Sequence, residues 1–119
     1  MATSRSNPDF LNGVPEMLIL QLLMAKPMYG YELVQAIRVT TDEVLTFGEG
    51  CVYPILHKLE SKGQLTSRQE SVGGRSRVVY RVSKSGREKL ARSVSQWQWI
   101  TKAIQKIIPG EADGNPVYA

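Results

Sequence analysis

The chain has 119 residues, of which 42% are hydrophobic and 22% are charged, and its formal net charge is +4. This length supports one domain with a modest core. The longest apolar run, residues 17–25, is interrupted by Gln21 and is far shorter than the roughly 20 residues that cross a membrane as a helix. With one cysteine, Cys51, and one histidine, His57, an internal disulfide is excluded and a dedicated zinc site would lack ligands. We therefore predict a cytoplasmic protein that is not an enzyme and has no metal, cofactor or membrane partner.

The charge is unevenly distributed. Residues 58–92 contain ten Lys and Arg and three acidic residues, whereas the rest of the chain contains five basic and eight acidic residues. Such clustering is expected of a surface that meets a polyanion. The alternative is a solvated basic face.

The first predicted helix is unusually apolar. Pro15 suits its first position, and Lys26-Pro27 ends it. Leu18, Leu22 and their apolar neighbours cover nearly its whole circumference, so we expect its own domain to bury one face and a partner chain another.

Two more helices are predicted before the chain changes period. The second runs from Tyr29 to about Arg38, with Tyr31 in its apolar stripe, and the third follows Gly48-Glu49-Gly50 and ends at Gly63. The apolar face of the third helix comprises Val52, Ile55, Leu56 and Leu59. Its opposite face includes Tyr53, His57, Lys58 and Lys62.

The alternation that follows predicts a β-hairpin with Gly73-Gly74 at its tip. Basic residues lie at the tip, at Arg75 and Arg77, and along one face, where Arg68 and Arg81 could equally be solvated sheet residues.

A long helix over residues 84–108 completes the predicted domain. Ser85 could cap its N-terminus, since Ser85 and Glu88 have the spacing of a capping box. Ser83 is an equally good N-cap candidate. A heptad seam runs through Leu90, Val94, Trp97, Thr101, Ile104 and Ile108. The seam predicts a dimerisation helix, although such a helix could also fold back on its own domain.

These elements predict a mainly α (α+β) winged helix-turn-helix domain over residues 13–83, with tails at residues 1–12 and 109–119. The third helix would enter the major groove, and the hairpin would place cations on the DNA backbone. The candidate DNA-binding residues are Gly30, Tyr53, His57, Lys58, Lys62, Arg75 and Arg77.

The candidates differ in role. Arg75 and Arg77 are the strongest DNA-binding candidates, because cations at the flexible tip of a hairpin contribute little to the structure of the domain. Lys58 and Lys62 suit phosphate contacts, since lysine lacks a fixed fork of donors. Gly30 begins a helix whose amides could hold a phosphate.

Four segments resemble the PadR family of bacterial transcriptional regulators, in matching order within residues 14–108. They are Met-Tyr-Gly-Tyr-Glu-Leu at 28–33, Gly-Cys-Val-Tyr-Pro-Ile-Leu at 50–56, Leu-Glu-Ser-Lys-Gly at 59–63 and Tyr-Arg-Val-Ser-Lys-Ser-Gly at 80–86. The resemblance implies a homodimer, held by the first and last helices, that binds a double-stranded DNA operator and represses a nearby gene. It also implies that Tyr53 approaches DNA, although a half-buried aromatic is an equal alternative.

The short last helix is similar to that of the small subgroup of this family, which includes multidrug-sensing repressors. This similarity implies that Trp97 lines a pocket for a small aromatic or hydrophobic effector at the dimer interface, the alternative being ordinary interface packing. Thr101, one turn later, is uncharged, so an acid that would attract cationic ligands is missing at that level.

Two other functions remain open. The chain could be a winged-helix protein–protein adaptor with little DNA binding, or a small-molecule binding protein whose chief site is Trp97. Cys51 could be an oxidation sensor, but small core filling is the commoner role of such a cysteine.

Overall fold

A computed structural model describes residues 13–109, and the predictions for residues 1–12 and 110–119 lie outside these residues. The elements are α1 (Val14–Ala25), β1 (Met28–Tyr29), α2 (Gly30–Thr40), α3 (Glu49–Ser61), β2 (Leu65–Val72), β3 (Arg75–Val82) and α4 (Lys84–Gln105). The predicted α+β winged helix-turn-helix is therefore confirmed. None of the helices within the described range has the length and apolarity to cross a membrane.

The core forms where α1, α2 and α3 meet the sheet and the start of α4. The largest fully buried side chains are Ile19, Leu20, Leu33, Ile37, Val52, Leu56, Leu59 and Leu65. The predicted apolar faces of α2 and α3 supply most of this set, so the helical period located them correctly. Tyr31 is the exception, because 46% of it is exposed, and its assignment to the core is wrong.

Helix α1 buries only part of its apolar surface within the chain. Ile19, Leu20 and Leu23 are buried, whereas Leu18 and Leu22 are half-buried. A band of apolar surface therefore remains on α1 that the other described residues, within 13–109, leave partly uncovered.

The sheet has one strand more than the predicted hairpin. Its order is β1-β3-β2 and all pairing is antiparallel. The short strand β1 pairs Met28 with Tyr80 and Tyr29 with Val79. The hairpin tip lies at Gly73 and Gly74 as predicted, and φ values of 60° and 80° there suit glycine.

A compact junction joins α3, β2 and α4. The amide of Gly86 donates to Ser83 Oγ over 3.1 Å, and Ser83 Oγ donates to the carbonyl of Gly63 over 2.7 Å. Of the two predicted candidates, Ser83 is therefore the N-cap of α4 and Ser85 is not. The Ser83 hydroxyl binds the end of α3 as well as the start of α4, which fixes one helix against the other.

The heptad seam of α4 divides into two parts. Leu90 is only 5% exposed and belongs to the core of its own chain, with Val94 packed against it. Leu90 was predicted at the dimer interface, and the structure instead places it in the hydrophobic core of its own chain. The helix ends at Gln105, three residues before the predicted end at Ile108. Beyond Trp97 the apolar side chains are largely exposed: Trp99, Ile100, Ile104, Ile107 and Ile108.

One carboxylate connects three helices. Glu16 of α1 lies 3.1 Å from Lys58 Nζ on α3 and 3.3 Å from Lys89 Nζ on α4. Its side chain is only 13% exposed, so these ion pairs are less screened by solvent than pairs at a fully open surface.

Replacing Glu16 with glutamine is expected to lower the free energy of unfolding by about 1 kcal/mol, because both lysines lose their partner. Urea denaturation at fixed protein concentration measures this change. Glu49→Gln provides the control, since Glu49 is exposed and forms no ion pair within residues 13–109. Equal stability of the two variants would contradict a structural role for Glu16.

Candidate DNA-binding surface

The exposed side of α3 follows from the helical period. His57 and Lys62 are exposed on the side away from the core, as predicted, while Tyr53 is half-buried at its edge. The Tyr53 and His57 rings are tilted with their centroids 6.4 Å apart. Lys62 caps the C-terminal end of α3, where a cation also complements the helix dipole.

Gly30, which was predicted to hold a phosphate through its backbone, also has a packing role. It is buried, and a Cβ added there would overlap the ring of Tyr53. Gly30 therefore lets α3 approach the first turn of α2, and its backbone lies beneath an aromatic ring instead of at an open surface. Tyr53 is half-buried, which was the predicted alternative to a contact with DNA.

Lys58 is held within the chain. Its ion pair with Glu16 draws the ammonium group toward α1, although the side chain remains about half exposed. A phosphate contact by Lys58 would therefore have to compete with Glu16, which the sequence pattern did not reveal.

The strand register places four arginines on one face of the hairpin. Side chains on a strand alternate between the two faces, and the β2–β3 register puts Arg68 opposite Val79 and Arg77 opposite Glu70. We call this face, which is opposite to the one that carries Leu65 and Tyr80, the outer face of the wing. It comprises Thr66, Arg68, Glu70, Val72, Arg75, Arg77, Val79 and Arg81.

Glu70 divides these arginines into two pairs. Its carboxylate accepts from Arg81 Nη1 at 2.6 Å and lies 3.6 Å from Arg68 Nε. The hydrogen bond from Arg81 lowers the pKa of the Glu70 carboxyl, with further help from the charges of both arginines. Within residues 13–109 no carboxylate pairs with Arg75 or Arg77, so these two cations remain for an external anion.

Arg75 and Arg77 nevertheless differ. Arg75 is exposed beside the glycine turn, as predicted for a tip residue. Arg77 is only partly exposed, and its Cζ lies 4.6 Å from the centroid of the Tyr29 ring. The prediction that Arg77 has little structural work is therefore wrong. Sequence reasoning missed this contact because it depends on β1, a strand of two residues.

Trp97 borders a cavity between α1 and α4. The cavity has a volume of about 160 Å³. Its lining residues are Gly13, Val14, Glu16, Met17, Ser93, Gln96, Trp97 and Ile100. Trp99, two residues further along, lies on another side of α4 and is 74% exposed. The Thr101 hydroxyl donates to the carbonyl of Trp97 over 3.0 Å.

Two further possibilities are a redox role for Cys51 and a metal site. Burial raises the pKa of the Cys51 thiol, which disfavours the reactive thiolate that an oxidation sensor needs. Within residues 13–109 no group of three or more His, Cys, Asp or Glu side chains converges in the way a metal site requires.

Comparison with known proteins gives consistent matches. Residues 19–92 match the family described as Transcriptional regulator PadR-like family. A transcriptional regulator from Clostridium thermocellum is 29% identical with a TM-score of 0.76, over 83% of this chain and 97% of that one. A PadR family transcription regulator from Clostridium difficile is 26% identical with a TM-score of 0.71, over 81% and 99% of the two chains. Transcriptional regulator YqjI of Escherichia coli is 29% identical over 87% of this chain, which spans 48% of that protein.

Proposed function

Because the chain belongs to the PadR-like family of transcriptional regulators, we propose that it is a homodimeric repressor that binds an operator in double-stranded DNA near the gene it controls. A small aromatic or hydrophobic effector beside Trp97 would release it from the DNA. Members of the family are regulators that bind DNA, so the prediction that this chain is not an enzyme is confirmed.

One observation carries the DNA-binding part of the proposal. Arg75 and Arg77 lie on the wing, and neither pairs with a carboxylate of residues 13–109. The proposed recognition helix is α3, whose exposed side includes Lys62. Guanidinium groups are well suited to phosphate, which they can bind through two parallel hydrogen bonds. A protein–protein adaptor would not need unpaired cations at both positions.

Apolar surface on α1 and α4 supports the dimer. An apolar groove of about 170 Å³ between α1 and α2 is bordered by Leu18 and Leu22. Ile104 in the last turn of α4 and Ile107 and Ile108 just after the helix are exposed. Large exposed patches of this kind usually mark an interface. Two-fold symmetry would place two recognition helices about one DNA turn apart.

The cavity beside Trp97 supports the effector. Its volume of about 160 Å³ is similar to that of a cavity that holds one benzene ring, roughly 150 Å³. The indole offers a flat face for stacking. In a dimer two such cavities would lie near the symmetry axis, so a larger planar ligand could contact both Trp97 side chains.

A salt-titrated anisotropy assay tests the DNA-binding proposal. The probes are a labelled duplex from upstream of the protein's own gene and a scrambled duplex of the same length. We expect selective binding that weakens steeply as salt rises, because phosphate contacts release counterions. Failure to bind either duplex at low salt would contradict the proposal and favour the adaptor function.

Trp97→Ala is expected to abolish quenching by a planar aromatic such as acridine while operator binding persists. Trp99 still reports fluorescence in this variant. The matched control is Trp99→Ala, which removes the exposed indole and should leave Trp97 quenching intact. Loss of the dimer in Trp97→Ala, measured by analytical ultracentrifugation, would instead assign Trp97 to interface packing.

A further inference from the structure

Tyr29 and Arg77 form a stacked pair between two parts of the fold. Tyr29 lies opposite Val79 in the β1–β3 pairing, and Arg77 precedes Val79 by two residues. Side chains two apart on a strand share a face, so the ring and the guanidinium group meet on the outer face of the wing. The distance of 4.6 Å from Arg77 Cζ to the ring centroid lies within the range of attraction between a cation and an aromatic face.

The contact restrains Arg77 without using up its donors. Arg77 Nε is buried and has no hydrogen-bond partner within the described residues. Glu70 lies opposite Arg77, yet its carboxylate is engaged by Arg81 and Arg68. Stacking occupies the flat face of a guanidinium group and leaves the N–H groups at its edge free for an acceptor.

Tyr29 also belongs to the helix-turn-helix. It is the N-cap of α2, and its amide donates to Glu32 Oε1 over 3.3 Å. The next residue, Gly30, lies beneath the ring of Tyr53 from α3. The Tyr29 ring is thus the side chain that joins the wing arginine to the start of α2, where α2 and α3 are in close contact.

We propose that Tyr29 is a positioning residue for DNA binding, whose ring holds the Arg77 guanidinium in place to contact a backbone phosphate while α3 occupies the major groove. This inference depends on the proposed DNA-binding function. The proposed hydrogen-bond acceptor is a phosphate, because the wing arginines present charge and paired donors without a pocket for a base. The ring lowers the cost of ordering a long side chain when the complex forms.

A double-mutant cycle tests the proposal by anisotropy with the upstream duplex. Tyr29→Leu and Arg77→Ala should each raise Kd, by about threefold to tenfold for the loss of the stack. The double variant should bind no more weakly than Arg77→Ala alone. Tyr29→Phe keeps the ring and should bind within about twofold of the wild type. Additive effects, or a Phe variant as weak as the Leu variant, would overturn the proposal.

Arg77→Lys provides an independent test in case Tyr29→Leu unfolds. It keeps the charge and loses the planar group, so we expect weaker binding with an unchanged salt slope, whereas Arg77→Ala should reduce the slope by about 0.9 for each lost phosphate contact. Wild-type affinity in Arg77→Lys would overturn the positioning role while leaving the proposed function intact. Absence of DNA binding by the wild type would overturn both. Thermal unfolding of each variant separates binding effects from loss of fold.

Discussion

Replacing Gly86 with alanine is expected to lower the free energy of unfolding by about 2–3 kcal/mol, the range of an overpacked core substitution. Gly86 is buried in the first turn of α4, where a Cβ would overlap the carbonyl oxygen of Gln64 and lie 2.7 Å from Val82 Cγ2. The carbonyl belongs to the backbone, so it cannot move aside as a side chain could. The junction of α3, β2 and α4 must therefore open, and the hydrogen bonds of Ser83 would weaken with it.

Gly50→Ala is the matched control for this substitution. Gly50 lies in the first turn of α3, and a Cβ there would meet nothing within 4 Å. Alanine favours the helix by up to about 1 kcal/mol over glycine, so this variant should be as stable as the wild type or more so. Urea denaturation at one protein concentration compares the two, because the midpoint would depend on concentration if the chain forms the proposed dimer. Equal midpoints for both variants would contradict the close approach at Gly86.

The elements that sequence reasoning located correctly are those whose pattern is local. The apolar spacing of Val52, Leu56 and Leu59 depends on one helix only, and it predicted the buried face of α3. Gly73-Gly74 likewise predicted the hairpin tip, because a two-residue turn requires positive φ at both positions. Family resemblance was not needed for either.

The elements that sequence reasoning missed depend on contacts between distant segments. Strand β1 has two residues, too few for any alternation, and it exists because β3 offers it an edge. The ion pair of Glu16 with Lys58 joins residues 42 positions apart, and no spacing rule predicts such a pair. Ser83 and Ser85 were equal candidates for the N-cap until the carbonyl of Gly63 gave the Ser83 hydroxyl a second partner.

The candidate DNA-binding surface also contains both kinds of feature, those set by a local sequence pattern and those set by contacts between distant segments. Arg75 was predicted as an exposed tip cation from the turn beside it, and the structure places it there. The strand register follows from the position of the turn, and it places Arg77 opposite Glu70. The register alone would therefore have paired these two residues, whereas the carboxylate of Glu70 pairs with Arg81 and Arg68. The stack of Arg77 on Tyr29 could not be predicted from the sequence, since it requires β1.

Arg75→Ala combined with Arg77→Ala is expected to weaken DNA binding at least tenfold, for the upstream and the scrambled duplex alike. Phosphate contacts carry affinity without sequence information, so the ratio between the two duplexes should change little. Each lost contact should lower the slope of log Kd against log salt by about 0.9. The proposed dimer should persist, because both arginines lie on the wing and not on the apolar surfaces of α1 and α4.

The control for this double variant removes the same charge elsewhere. Arg87 and Arg92 are both exposed on α4, so replacing them with alanine changes the net charge equally and spares the wing. If long-range attraction by net charge dominated, the two double variants would lose the same affinity and the same slope. A larger loss in the wing variant would locate the phosphate contacts at Arg75 and Arg77, and an unchanged slope there would refute the role of the wing.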